Sequence, residues 1–131
     1  MSNVFIVEDN TSDLRQATSL LSNLGVGKID SATTLGAAIR YLDEITEGKR
    51  EAPILIVLDL SLGYESGFEV LRRWKSDARL KGIKIIVWTQ MGEREQELCR
   101  LFGLEHVISK WSSEKDLQDA VKSVVTLPSQ S

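Results

Sequence analysis

Short aliphatic runs alternate along the chain with longer stretches in which apolar residues recur every three or four positions. The runs NVFIV (Asn3–Val7), ILIVL (Ile54–Leu58) and IKIIVW (Ile83–Trp88) are apolar almost throughout. A strand with one wet face would alternate polar and apolar residues, so these three read as strands covered on both faces. HVIS (His106–Ser109) and KIDSA (Lys28–Ala32) are more polar and read as edge strands. Between the runs the spacing is helical. Leu14, Ala17, Leu21 and Leu24 share one stripe, with Thr11 or Ser12 to cap its start and Gly25 to stop it. Leu35, Ala38, Leu42 and Ile45 form a second stripe that ends near Gly48. A third helix is predicted from Gly67 to Asp77, with Phe68, Leu71 and Trp74 inward. A fourth is predicted from Glu93 to Phe102, carrying Leu98, Leu101 and Phe102 and stopped by Gly103. The fifth opens at Ser113, has Asp116 three residues on in the manner of a capping box, and buries Leu117, Ala120, Val121 and Val124.

Five strand–helix repeats predict an α/β fold, with a parallel sheet covered by helices on both faces and joined by right-handed crossovers. The 131 residues suit one domain, placed at residues 1–127, with 128–131 as a frayed tail. Composition acts mainly by exclusion. At 42% hydrophobic and 27% charged the chain resembles an ordinary globule, and no apolar run is long enough to span a membrane. The start, MSNVFIVEDN, lacks the basic region of a secretion signal, and the single cysteine, Cys99, cannot form an internal disulfide; both point to the cytoplasm. Within ELCRLF, Cys99 reads as a small core residue. A net charge of −3 with mixed signs offers no basic face for nucleic acid.

Sheets of this kind bind ligands beyond the carboxyl ends of their strands, where strand order reverses. The first strand delivers Glu8 and Asp9 to that edge, the third Asp59, the fourth Thr89 and the fifth Lys110. Carboxylates that close repel one another unless a cation joins them. Oxygen ligands with room for water suit Mg²⁺, and no Cys or His cluster offers a zinc site. With a cation in place Asp59 is suited to accept a phosphoryl group as an acyl phosphate, while Lys110 and Thr89 are the right types to hold its oxygens. Taken singly, Glu8 and Asp9 read as a solvated strand end, Thr89 as a strand-end hydroxyl and Lys110 as a surface charge. Their joint arrival at strand ends carries the site. Asn10 and Asp13 read as capping or surface residues, His106 as a residue entering an edge strand, Trp74 and Trp88 as core, and Trp111 as an exposed contact residue.

These residues resemble the receiver domain of two-component response regulators over essentially the whole chain. FIVEDN matches the acidic pair after the first strand, LDLSLGYESGFEVL the acceptor strand and following helix start, and IIVWT and ISK the later hydroxyl and lysine. The resemblance implies a flavodoxin-like three-layer sandwich with strand order 2-1-3-4-5. It implies that Glu8, Asp9, Asp59 and the Ser61 backbone carbonyl bind Mg²⁺, that Asp59 is phosphorylated, and that Thr89 and Lys110 engage the phosphoryl group. On this reading the chain is a self-phosphorylating and self-dephosphorylating switch rather than a conventional enzyme. Its donor is a histidine kinase or phosphotransfer protein. As a stand-alone receiver without a DNA-binding domain or membrane segment, it signals to a downstream protein through helix 4, strand 5 and helix 5, a face also suited to a homodimer.

The chain departs from the family at four places. Trp111 replaces the proline after the lysine, whose peptide bond is often cis; Val107 replaces the aromatic that swings on activation; Gln90 replaces a small residue beside the hydroxyl, which implies narrower phosphoryl access or a changed lifetime of the acyl phosphate; and Leu62-Gly63 replaces a proline after the acceptor. None removes a catalytic group. Other classes fit less well. A flavin binder needs a Ser/Thr/Gly-rich phosphate loop where this chain has EDNTSD, and a haloacid-dehalogenase-type phosphatase needs a second acid where it has Ser61. The competing reading is a receiver-like interaction module that works without phosphate.

Overall fold

The computed structural model describes residues 3–90 and 92–125. Numbering only the strands of the main sheet, the order is β1 (Asn3–Val7), α1 (Thr11–Asn23), β2 (Lys28–Ala32), α2 (Leu35–Thr46), β3 (Leu55–Leu58), α3 (Phe68–Ser76), β4 (Lys84–Thr89), α4 (Glu93–Leu101), β5 (His106–Ser109) and α5 (Glu114–Val124). The five strands are parallel in the order β2-β1-β3-β4-β5, the flavodoxin-like arrangement. A short antiparallel hairpin, Ser61–Leu62 with Glu65–Ser66, follows β3, and a 3-10 turn, Ala78–Leu80, follows α3.

The apolar runs are explained by two cores. Successive strand residues point to opposite faces, so Phe5, Val7, Ile56, Leu58, Ile85 and Val87 join Leu42, Leu71 and Cys99 on the α2–α4 side. Val4, Ile6, Leu55, Val57, Ile86 and Trp88 join Leu21, Leu117 and Val121 on the α1–α5 side. A fully buried aliphatic or phenyl side chain contributes about 1.5–3 kcal/mol of transfer free energy, so these two layers hold the central strands rigid.

Element boundaries differ from the predicted ones in ways the local chemistry explains. Asn10 caps α1, its Oδ1 accepting the Asp13 N–H at 2.9 Å, while Thr11 and Ser12 already lie inside the helix. Ser113 is the N-cap of α5 without a side-chain capping bond; the Asp116 N–H goes to the Ser113 carbonyl instead. β3 begins at Leu55, leaving Ile54 partly exposed, and β4 runs on to Thr89. Phe68 and Trp74 are only partly buried in α3, where Val70 and Leu71 fill the core, and the Trp74 indole N–H donates to the Ile83 carbonyl at 2.9 Å. α4 is rotated from expectation: Cys99 is fully buried, whereas Leu98 and Leu101 are 42% and 75% exposed. The tail at 128–131 lies outside the described residues.

Candidate functional site

The ladder continues one residue past the strands and so fixes the acids side by side. The Asp59 N–H donates to the Val7 carbonyl (2.9 Å) and the Glu8 N–H to the Ala32 carbonyl (3.0 Å). Val7 pairs with Leu58, so the next residues, Glu8 and Asp59, meet at the boundary between β1 and β3. Strand order reverses at that boundary, since the chain leaves β1 for β2 on one side and reaches β3 on the other. Thr89 pairs with Ser109 at the ends of β4 and β5, and the Lys110 N–H donates to the Thr89 carbonyl at 3.0 Å. Four groups from four parallel strands thereby reach one rim on rigid backbone.

Behind Asp59 the chain leaves no spare room. A Cβ on Gly67 would stand 2.4 Å from the Asp59 carbonyl oxygen and 2.9 Å from the Leu60 Cα, so only glycine allows the hairpin to fold back there. Gly63 takes the hairpin turn at φ +66°, and its N–H donates to Asp9 Oδ2 at 2.9 Å. Asp9 thus pins the loop in which the family's proline is missing.

The Asp59 carboxylate is 4% exposed and fully engaged. Oδ1 accepts the Thr89 hydroxyl and the Ser61 N–H (3.0 Å), and Oδ2 lies 2.9 Å from Lys110 Nζ. The lysine side chain is 7% exposed and also lies 2.8 Å from Glu8 Oε1 and 2.7 Å from Asp13 Oδ2, over the Trp88 ring at 5.1 Å. Burial pushes the Asp59 carboxyl upward, but hydrogen bonds with Glu8, Thr89, the Ser61 N–H and Lys110 outweigh it and hold the group below the usual range. Burial, then the neighbouring Asp59, raises Glu8 to about 8. Burial also opposes the charge on Lys110, yet Asp13, Glu8 and Asp59 keep it above the ordinary lysine value. Burial thus disposes Glu8 to take up a proton, while the neighbours of Asp59 dispose it to stay ionised.

The donor set fits a hard cation. Glu8, Asp9 and Asp59 can offer one oxygen each, all within 4.8 Å of one another. Glu8 Oε1 is buried and, although near Lys110 Nζ, is not aligned for a hydrogen bond, so an acceptor stands unsatisfied beside the other two acids. The Lys110 ammonium supplies positive charge beside two of these three acids, Glu8 and Asp59.

The structure therefore brings together Glu8, Asp59, Thr89 and Lys110 and places Asp9 and Ser61 at the rim. A pocket of about 160 Å³ is lined by Asp9, Asn10, Asp13, Asp59, Ser61, Gln90 and Lys110. Gln90 stands at its edge as the sequence suggests, Val107 is partly buried against the α2–α4 core, and Trp111 is 74% exposed. Every described peptide bond is trans, including the one after Lys110. Asp13 is the residue that sequence reasoning missed, since it pairs with Lys110 rather than serving the surface. Its only sequence signal was topological: the first turn of a helix that follows β1 must start at the rim.

The response regulator receiver domain profile matches residues 4–122. The chain is 30% identical over 125 residues to the chemotaxis protein CheV1 of Helicobacter pylori, covering 95% of this chain but 38% of that protein. It is 30% identical over 121 residues to the polar-differentiation response regulator DivK of Brucella ovis, covering 92% and 93%. Among solved structures, the phosphorylated cyanobacterial phytochrome response regulator RcpA superposes with a TM-score of 0.79 at 30% identity, covering 98% of this chain and 99% of that one. Among the described residues no helix is long and apolar enough to cross a membrane. Glu8 and Asp9, Asp59, Thr89 and Lys110 stand at the strand ends of the family's own fold, and the chain belongs to the response regulator receiver domain family.

Proposed function

We propose that the chain is a phosphoryl-accepting switch, taking a phosphoryl group onto Asp59 from the phosphohistidine of a sensor kinase or phosphotransfer protein. The observation that carries this reading is the state of Asp59: a carboxylate on the central strand, held ionised, with a hydroxyl and an ammonium on its two oxygens at the wall of an open pocket. An ionised Asp59 oxygen attacks phosphorus, the bond from phosphorus to the imidazole nitrogen breaks, and the imidazole leaves with the electron pair. Glu8, Asp9, Asp59 and the Ser61 carbonyl would hold Mg²⁺, which when bound neutralises charge on the transferring group.

The acyl phosphate no longer presents Asp59 as a carboxylate, so Thr89 and Lys110 lose the acceptor they share. Their hydroxyl and ammonium turn to the phosphoryl oxygens. Thr89 ends β4 just before α4, and Lys110 follows β5 just before α5, so the two shifts act on the same face of the molecule. A groove of about 530 Å³ runs along that face, lined by His106, Ile108, Ser112, Asp116 and Ala120 among others. We assign the protein partner, or a second copy of the chain, to that face. RcpA, similar over nearly its whole length, has been solved in a phosphorylated form.

Intact mass after treatment with acetyl phosphate tests the reading. The expected result is a gain of one phosphoryl group that needs Mg²⁺, disappears in chelator and is absent in Asp59→Asn. A gain that persists in Asp59→Asn would overturn the assignment. No gain, together with no binding of Mg²⁺ or beryllofluoride, would leave the interaction module that works without phosphate.

A further inference from the structure

The Lys110 ammonium has three N–H donors. One goes to Asp59 Oδ2 at 2.9 Å and one to Asp13 Oδ2 at 2.7 Å, although Asp13 stands 97 residues away in the first turn of α1. Asp13 is not needed to place the lysine. The backbone N–H of Lys110 is fixed on the Thr89 carbonyl, its side chain lies over the Trp88 ring, and it is 7% exposed among neighbours that include Glu8. What Asp13 adds is negative charge, at 25% side-chain exposure, on the wall of the pocket a phosphoryl group must enter.

We propose that Asp13 sets the threshold of the switch by its charge, competing with the incoming phosphoryl group for the Lys110 ammonium. This rests on the phosphoryl-acceptor reading of Asp59. In the unphosphorylated state Lys110 is shared among Asp13, Asp59 and Glu8. A dianion arriving beside Asp59 must draw the ammonium away from Asp13 or accept it half-neutralised, and it meets a like charge at the rim in either case. Removing that charge while keeping the side chain's size favours the phosphoryl-bound state.

The test is the affinity of the full chain for beryllofluoride at saturating Mg²⁺, followed by fluorine NMR. Asp13→Asn is expected to bind on the order of tenfold tighter than the natural chain, the effect of one unit charge near a dianion in partly solvated surroundings. Asp13→Ser should move in the same direction and Asp13→Glu should stay near the natural value. The gap between Asp13→Asn and the natural chain should narrow as ionic strength rises. A purely structural role for Asp13 would loosen binding in the variants, because a poorly held α1 disorders the rim. Unchanged or weaker binding by Asp13→Asn, with the natural chain binding well, overturns the inference and leaves the acceptor reading intact. Failure of the natural chain to bind beryllofluoride overturns the inference, and the acceptor reading falls with it when acetyl phosphate also adds no phosphoryl group and Mg²⁺ does not bind.

Discussion

At Glu8 two demands conflict. Burial and the adjacent Asp59 favour a protonated carboxyl, while a cation site needs the ionised form. A carboxyl raised to about 8 when folded, from its ordinary 4.5, contributes stability that is complete below pH 4.5 and is lost as pH rises through about 8. Asp59 has the opposite sign, since its depressed value contributes above its ordinary 3.8 and fades only as pH falls below that range. Between pH 5 and 9 Glu8 therefore dominates. In chelator the natural chain should lose stability over that window relative to Glu8→Gln, which imitates the protonated form at every pH, by on the order of a few kcal/mol. Thermal melts of both proteins at pH 6 and pH 9 decide it, and parallel melting temperatures at the two values would rule out Glu8 as the proton holder. The meeting of Glu8, Asp59, Thr89 and Lys110 at one rim was legible in the sequence because strand ends are fixed by the hydrophobic runs. Asp13 was not, because a pairing across 97 residues leaves no periodicity.

Among the elements, the strands and helices followed from hydrophobic spacing, while rotation about a helix axis did not. In α4, Leu98 and Leu101 share one stripe and Cys99 and Phe102 another, both spaced three apart, and only the neighbouring sheet selects the second. The hairpin after β3 was also hidden. It has four strand residues, and its shape depends on Gly63, Gly67 and a long-range bond to Asp9. Two glycines then make opposite expectations. Gly67→Ala would press its methyl onto the Asp59 carbonyl and the Leu60 Cα, backbone atoms with no rotamer to relieve the clash, and should cost about 2–3 kcal/mol in urea unfolding. Gly36→Ala, in the first turn of α2 with nothing within 4 Å of its Cβ, should instead stabilise by up to about 1 kcal/mol. If both changes cost the same, the close approach of the hairpin to the end of β3 is wrong.

For the molecule as a whole, the site is an extension of the sheet and not a loop laid on it. Glu8, Asp59 and Lys110 continue β1, β3 and β5, Thr89 ends β4, and three of these strands are covered on both faces by the two cores. A ligand that joins those strand ends binds only while the sheet is intact, so its free energy adds to global stability rather than to one local opening. At a Mg²⁺ concentration 100 times its dissociation constant the gain should approach about 2.7 kcal/mol. It should appear as slower hydrogen exchange at the amides of β1, β3 and β4, the strands most distant from solvent. Glu8→Gln should lose most of the gain, because it removes the acid that must ionise, while Gly36→Ala should keep it. Protection confined to the hairpin and the start of α1 would mean that the cation binds a mobile rim; protection across the central strands would mean that the sheet itself is the binding element.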